Sequence, residues 1–457
     1  GAGRQCIDPG KYNAKCDPCP SGTQCTCPSG QVADGSGGCG VAGCAGALAA
    51  ARPDVAVAEN ASQLTTALAS GKDTIAVTES FSTANAISLG SKKLVGPKYF
   101  AYVEGCSTAS TPTLTLTSTS DAITMSGGSI NNLALNHTVD STSASTVVGS
   151  GTVQDMTFKA QKVGSMLKAS GTLTLAGTNA FNSTDKSSYM INAPTSSDTV
   201  NINGPVTFDG NYSYGASVNG GKMTVASSGS ITSNVEGHAG VNVDNGATFT
   251  ANGPLKFNKR HTYTIYALTT KNVSIALNAA GNVLTSYFSG IYCTGGSVTI
   301  GGSTTIAFQA NPNSSDGSSK TAIDMHEVYS SSVNSLTINA PVTITGLTKI
   351  HDSQYPTIYG DEILSMVGGT LKLTSTIESK SNVGKLLING NSMNMSSSSA
   401  ILGATYIYGD GKNFTAAAGA KLKLGGVCKK AASSGTLSSV TYDKAITSPV
   451  SPFTSGC

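Results

Sequence analysis

Over most of the chain, apolar and polar residues alternate in runs of four or five positions. In GTLTLAGTNAF from residue 171, Leu173 and Leu175 alternate with Thr172 and Thr174, and in GSVTIGGSTTIAF from residue 296, Val298 and Ile300 do the same. Period-two alternation sends one set of side chains to one side of a strand and the other set to the opposite side. A unit of one such strand, a Gly, Asn or Pro bend and a second strand recurs. It is seen in VNINGPVTFDGN at 200, GKMTVASSGSITSN at 221, GATFTANGPLKFN at 246, NVSIALNAAGNV at 272, NSLTINAPVTITG at 334 and GTLKLTSTIES at 369. Starts lie roughly 20 to 40 residues apart, the length of one solenoid coil with or without a protruding loop. The bends explain the glycines, because a sharp corner needs positive φ, which Gly and Asn tolerate. Asn-Gly hairpins between equal strands are few, which argues against an antiparallel sandwich or propeller.

Before these repeats, ENASQLTTALASGKDTIAVTESFSTANAISLGSKKLVGPK predicts a short helix with Leu64 and Leu68 on one face. Strands follow at Thr74–Thr78, Ala86–Leu89 and Lys93–Val95. The helix covers the open backbone edge of the first coil and keeps other strands from adding there. A capping helix, successive one-coil strands and a Gly96-Pro97 step together resemble the start of pectin-lyase-like parallel β-helices, and the resemblance covers about Glu59 to Gly425. It implies right-handed coiling, which is also the usual hand of parallel crossovers. The expected fold class is all-β: a right-handed parallel β-helix with a small disulfide-rich N-terminal module. Such repeats include surface adhesins, autotransporter passengers, polysaccharide lyases and hydrolases, and phage tailspikes, so fold alone does not choose a function.

Composition sharpens this picture. Of 457 residues only 12% are charged, against about a quarter in an ordinary soluble domain; Gly numbers 53 and Trp is missing. The net charge of +3 is scattered, so neither a nucleic-acid groove nor a polybasic membrane patch is implied, and no apolar run is long enough for a membrane-spanning helix. Gly1 and the small residues after it suit a mature N-terminus left by signal-peptide removal.

Of the 11 cysteines, Cys6, Cys16, Cys19, Cys25, Cys27, Cys39 and Cys44 crowd residues 1–44, a segment that resembles epidermal-growth-factor-like modules. Such density stabilises a segment too short for a core and persists in oxidising compartments, so a secreted, extracellular or cell-surface protein is expected. Seven is odd, so one of them pairs outside the module, stays free or bridges to another chain, and Cys106 is the nearest candidate in sequence. Zinc is disfavoured: Cys16-Asp-Pro-Cys19 is a CxxC, but Cys25-Thr-Cys27 has the wrong spacing and no His lies nearby. No metal or cofactor is expected. Residues 45–58 read as a small-residue linker, 59–425 as the β-helix, and 426–457 as a C-terminal tail or lid that Cys428 and Cys457 would close. A tail that donates a strand to another chain is the sharper alternative.

Three charged clusters are candidates for chemistry: Lys259-Arg260-His261; Asp324 with His326 and Glu327; and His351-Asp352 with Asp361-Glu362 further on. A lyase of the kind the resemblance implies needs a base and carboxylates converging on one face. The first cluster reads more simply as a solvated turn, the second as local ion pairing in an exposed loop, and the third as loop surface. No pair of carboxylates on neighbouring coils can be nominated for a glycosidase, so no enzyme is expected. Asn60-Ala-Ser62 and Asn136-His-Thr138 are sequons of the kind such a composition produces by chance, and GDGKN at 409–413 reads as a turn.

Tyrosines offer a contact surface. NYSYG, KRHTYTIYA and TSYFSGIYC place Tyr212, Tyr214, Tyr263, Tyr266, Tyr287 and Tyr292 near loops or strands of neighbouring coils. Their rings stack while their hydroxyls stay wet; the alternative is an internal ladder. The sequence thus leads to a structural or adhesive β-helix of the bacterial cell surface, assembling head to tail with itself into filaments or binding a host or cell-surface glycan or protein. The alternative is a polysaccharide-binding or polysaccharide-degrading β-helix.

Overall fold

The computed structural model describes residues 43–103, 105–310, 319–326, 334–349, 360–389, 392–409, 414–437 and 445–457, and strand backbone alone at 4–6, 16–18, 31–33 and 39–41. The chain is a parallel β-solenoid of about 12 turns. Each strand pairs with the strand one coil later, and the pairings sort into three columns. Sheet A includes Thr199–Ile202, Lys222–Val225, Thr248–Ala251 and Val273–Leu277. Sheet B includes Asn179–Ser183, Pro205–Phe208 and Ser230–Ser233. Sheet C includes Ser187–Ala193, Tyr212–Asn219, Gly237–Asp244, Thr321–His326, Glu362–Val367, Lys385–Asn389 and Tyr406–Gly409. The long strands Leu255–Ala267 and Asn282–Cys293 turn the corner from sheet B into sheet C.

Alternation builds the core by stacking like positions. On sheet A, Leu173, Val200, Met223, Phe249, Ile275 and Val298 are successive partners, and each is essentially solvent-free. On sheet B, Phe158 and Phe181 stack with centroids 4.6 Å apart, and Phe208 meets Phe181 edge-on at 5.8 Å. Each buried ring contributes about 2 kcal/mol relative to an exposed one. Threonine fills the outward positions of sheet A, as at Thr224 and Thr250. At the bend after Gly237–Asp244, Asn245 and Gly246 both have positive φ (54° and 80°), the role expected of corner Asn and Gly.

The N-terminal end differs from the expected linker. Residues 44–58 hold helix α1, Cys44–Ala51, and strand Val55–Ala58, which pairs with Thr74–Val77 as part of the first coil. The physical reason lies in the residues: the Ala-rich run has the best helix propensity, and Val-Ala-Val-Ala has strand alternation. Helix α2, Ala61–Ala69, follows; the Asn60 side chain accepts a hydrogen bond from the Gln63 N–H at its start. Leu64 is buried and Leu68 partly so against the first coil. Cys44 is bonded to Cys106, tying α1 to the loop after Pro97–Phe100. The side chains of Cys6, Cys16, Cys19, Cys25, Cys27 and Cys39 lie outside the described residues.

At the far end, the tail folds back on all three columns. Val427–Ala431 pairs antiparallel with Lys421–Leu424, Gly435–Thr436 with Phe414–Ala416, and Ile446 bridges Ile407. Phe453–Gly456 adds outside Val427–Ala431, and Cys428–Cys457 joins these two strands. The tail is thus a lid on its own last coil.

Candidate contact surface

The outward side of sheet C carries an aromatic stripe that grows from column register. Tyr189 pairs with Tyr214, Tyr214 with Ala239, Ala239 with Tyr263; in a second column Asn242, Tyr266, Tyr292 and Asp324 follow one another. His238 and Phe288 come from the positions before Ala239 and Ser289 and fill the gaps. Tyr189 and Tyr214 stack at 5.3 Å, and Tyr214 meets His238 at 5.5 Å. His238 meets Tyr263 and Tyr266, each at 5.6 Å. Tyr263 meets Tyr266 at 4.6 Å and Phe288 at 5.5 Å, and Tyr266 stacks on Tyr292 at 5.6 Å. These rings are half-buried, so each shows part of its surface to solvent. The run covers five successive coils, about 19 Å at the usual strand spacing.

Small residues behind the stripe let it lie close to the core. A Cβ on Gly240 would come within 2.4 Å of the Phe257 ring, and one on Gly215 within 2.9 Å of Phe208. The sheet C backbone therefore rests directly on the sheet B phenylalanines, which fixes the height of the tyrosines. Burial, as the main cause, raises the pKa values of Tyr214, Tyr263 and Tyr266. Burial and then the Asp324 carboxylate push Tyr292 up to about 12. All four are neutral phenols at physiological pH, able to donate and accept hydrogen bonds while their faces stack.

Polar groups border the stripe. Asp324 is 6% exposed and pairs with His326 Nδ1, whose pKa it raises by that hydrogen bond. Glu362 Oε1 lies 2.8 Å from Lys385 Nζ, and Glu362 Oε2 accepts from Thr321 Oγ1 at 3.1 Å. Asp361 accepts the backbone N–H groups of Lys320, Thr348 and Lys349. Glu362 and Asp361 are thus engaged in holding coils together, and Asp324 in a pair along its own strand. A recess of about 310 Å³ beside His238 is lined by Lys186, Asn211, Glu236, Gly237 and Thr262, with Tyr212 at its floor.

Several expectations need correction. Lys259–His261 is not a solvated turn: it lies within Leu255–Ala267, where His261 is fully buried. Arg260 is held by Glu236 at 3.0 Å and by the Ala310 carbonyl at 2.7 Å. Asp324 and His326 belong to a strand rather than an exposed loop, because Ile323 and Met325 on either side of Asp324 enter the core; Glu327 lies outside the described residues. His261 points inward and Asp324 outward, so the first two clusters do not meet in a cleft. His351, Asp352 and residues 410–413 lie outside the described residues, while Asp361 and Glu362 are placed as above. Tyr212 is not a contact residue: it is 1% exposed, its hydroxyl 2.6 Å from His261 Nε2 and 2.8 Å from Ser233 Oγ. Tyr287 is half-buried within electrostatic reach of Tyr263.

Sequence reasoning missed Tyr189, His238 and Phe288. The signal existed in their spacing, since aligning coils one below another places them with Tyr214 and Tyr263. Among the described residues no three His, Cys, Asp or Glu side chains converge as a metal-ligand set, and no helix is long and apolar enough to cross a membrane. Cys293 is free and buried under Tyr292. No family model, curated protein or solved structure matches the chain.

Proposed function

We propose that this protein is an extracellular adhesive β-solenoid that holds a cell-surface glycan along the aromatic stripe of sheet C. The observation that carries the reading is the half-exposed stack of Tyr189, Tyr214, His238, Tyr263, Tyr266 and Tyr292 over successive coils. Rings at strand spacing offer an extended saccharide repeated apolar faces with hydroxyl edges, and a core-packed sheet holds them without a further ordering cost. The Cys44–Cys106 and Cys428–Cys457 disulfides support an oxidising, extracellular setting. The engaged carboxylates favour binding over cleavage.

Assembly into filaments is the companion reading. The helices and the lid cover the coil ends, so subunits would meet through those caps or through the Cys-rich segment rather than by coil-on-coil strand addition.

The test is glycan-array binding by the native protein and by Tyr263→Ala and Tyr266→Ala, with negative-stain electron microscopy of the same material. Binding that weakens about threefold to tenfold per ring removed supports the reading. Array signals unchanged by both substitutions, or shortening of the bound glycan, would refute it; single rods on the grid would remove the filament reading alone.

A further inference from the structure

From the Asp244 carboxylate that borders its aromatic rings, we infer that the stripe selects a glycan bearing free ammonium groups, an amino sugar that is not acetylated. This rests on the glycan reading above and names the ligand class for the same surface. The rings form two groups by charge. Toward the N-terminal end, Lys168 precedes Asn192 in the second column and Lys186 borders His238, where the Glu236 carboxylate is taken up by Arg260. Around Tyr263, Tyr266 and Tyr292 the described outward charges include Asp244 and the ion pair of Asp324 with His326. Asp244 lies two positions beyond Asn242, the partner of Tyr266, on the same side of its strand. Asp324 is the partner of Tyr292 on the next coil, about 4.8 Å away along the axis. Among the described residues Asp244 meets no cation in an ion pair; its Oδ1 accepts the Asn245 backbone N–H.

The chemistry follows from this placement. A tyrosine face attracts a cation through the ring quadrupole, more strongly when part of the cation's water is displaced. Here the stacked faces lie beside the Asp244 carboxylate, while Asp324 is buried and paired with His326, so an ammonium over Tyr266 gains ring and Asp244 attraction together. A carboxylated or sulfated sugar at the same place meets repulsion from Asp244. A neutral acetylated sugar keeps only the stacking.

The experiment titrates the full-length protein with a β-1,4-linked glucosamine oligomer and with its N-acetylated counterpart. The titration is run below the pKa of the amines, where the free oligomer is cationic and the acetylated one carries a neutral amide and methyl in place of each charge. The expected result is about tenfold tighter binding of the free amine, a preference that shrinks at about 0.5 M salt and in Asp244→Asn. An unchanged melting curve of Asp244→Asn separates lost recognition from lost fold. Equal or tighter binding of the acetylated oligomer, or a preference that survives in Asp244→Asn, overturns the inference while stacking on Tyr263 and Tyr266 stands. Failure of every glycan to bind overturns both this inference and the reading on which it rests.

Discussion

Acid should loosen the middle of the solenoid through one imidazole. His261 is fully buried; its Nδ1 lies 2.9 Å from the Lys259 carbonyl, so Nδ1 carries the proton and Nε2 accepts from the Tyr212 hydroxyl at 2.6 Å. Burial pulls the imidazole down from its ordinary 6.5 to about 4. A base with a depressed pKa in the folded state takes its proton more readily when unfolded. Its contribution to stability is therefore complete above pH 6.5 and is lost as pH falls toward 4. Between pH 7 and 4.5 the loss from this one group is about 2 kcal/mol. The assay is urea unfolding, followed by far-ultraviolet circular dichroism, of wild type and His261→Gln at both pH values. The variant is less stable at pH 7 by about 1–3 kcal/mol, because the Tyr212 hydroxyl loses its acceptor. Its further drop on acidification should be smaller than that of wild type by about 2 kcal/mol. His137, also buried and lowered by burial, is present in both proteins and cancels from the comparison. An equal drop in the two proteins would show that His261 is not the group that titrates.

Two further outcomes follow from buried sulfur and from the lid. Cys293 is solvent-free, and burial pushes its thiol up to about 11; iodoacetamide at pH 8 should leave it unlabelled in the native protein and label it in urea, read by mass spectrometry. Equal labelling rates in both states would contradict its placement. Loss of the Cys428–Cys457 bond by Cys457→Ser opens a loop spanning a sequence separation of 29, and should destabilise the lid by about 3.6 kcal/mol on the chain-entropy account. Amide exchange should then rise in Val427–Ala431 and Tyr406–Gly409 and stay unchanged in Ser187–Ala193; a uniform rise would refute the lid as a local unit.

How much of this was legible depended on whether a residue sits within a straight strand or at a corner. Leu173, Val298 and Ile300 were assigned inward by alternation alone, and they are buried. At corners the alternation breaks. Register shifts occur between Phe257 and His261 and again between His261 and Tyr263. Lys259, Arg260 and His261 are consecutive and polar, so they look like a turn, yet the bend directs only the first outward and His261 into the core. Tyr212 was misassigned for the same reason: it opens a strand just after a bend, where phase cannot be carried over from the preceding strand. The pairing of Tyr266 with Tyr292 required knowing coil length, which sequence supplies only after the columns are aligned. The 44–58 stretch was hidden differently, because alanine suits a linker and a helix alike, and what decided it was burial of Leu48 and Ala47 against the first coil.

Coil length varies widely while the columns do not. Glu236 and Arg260 meet across 24 residues, whereas Thr321 and Glu362 meet across 41 on the same kind of step. After the longer step the pairing resumes in the same columns. Position in this protein therefore has two coordinates, rung and column, and an insertion alters what overhangs a rung while preserving the column address of every residue after it. New overhanging segments can accumulate beside an old surface, so kinship among such chains should be sought by aligning columns, with the corners left free to differ.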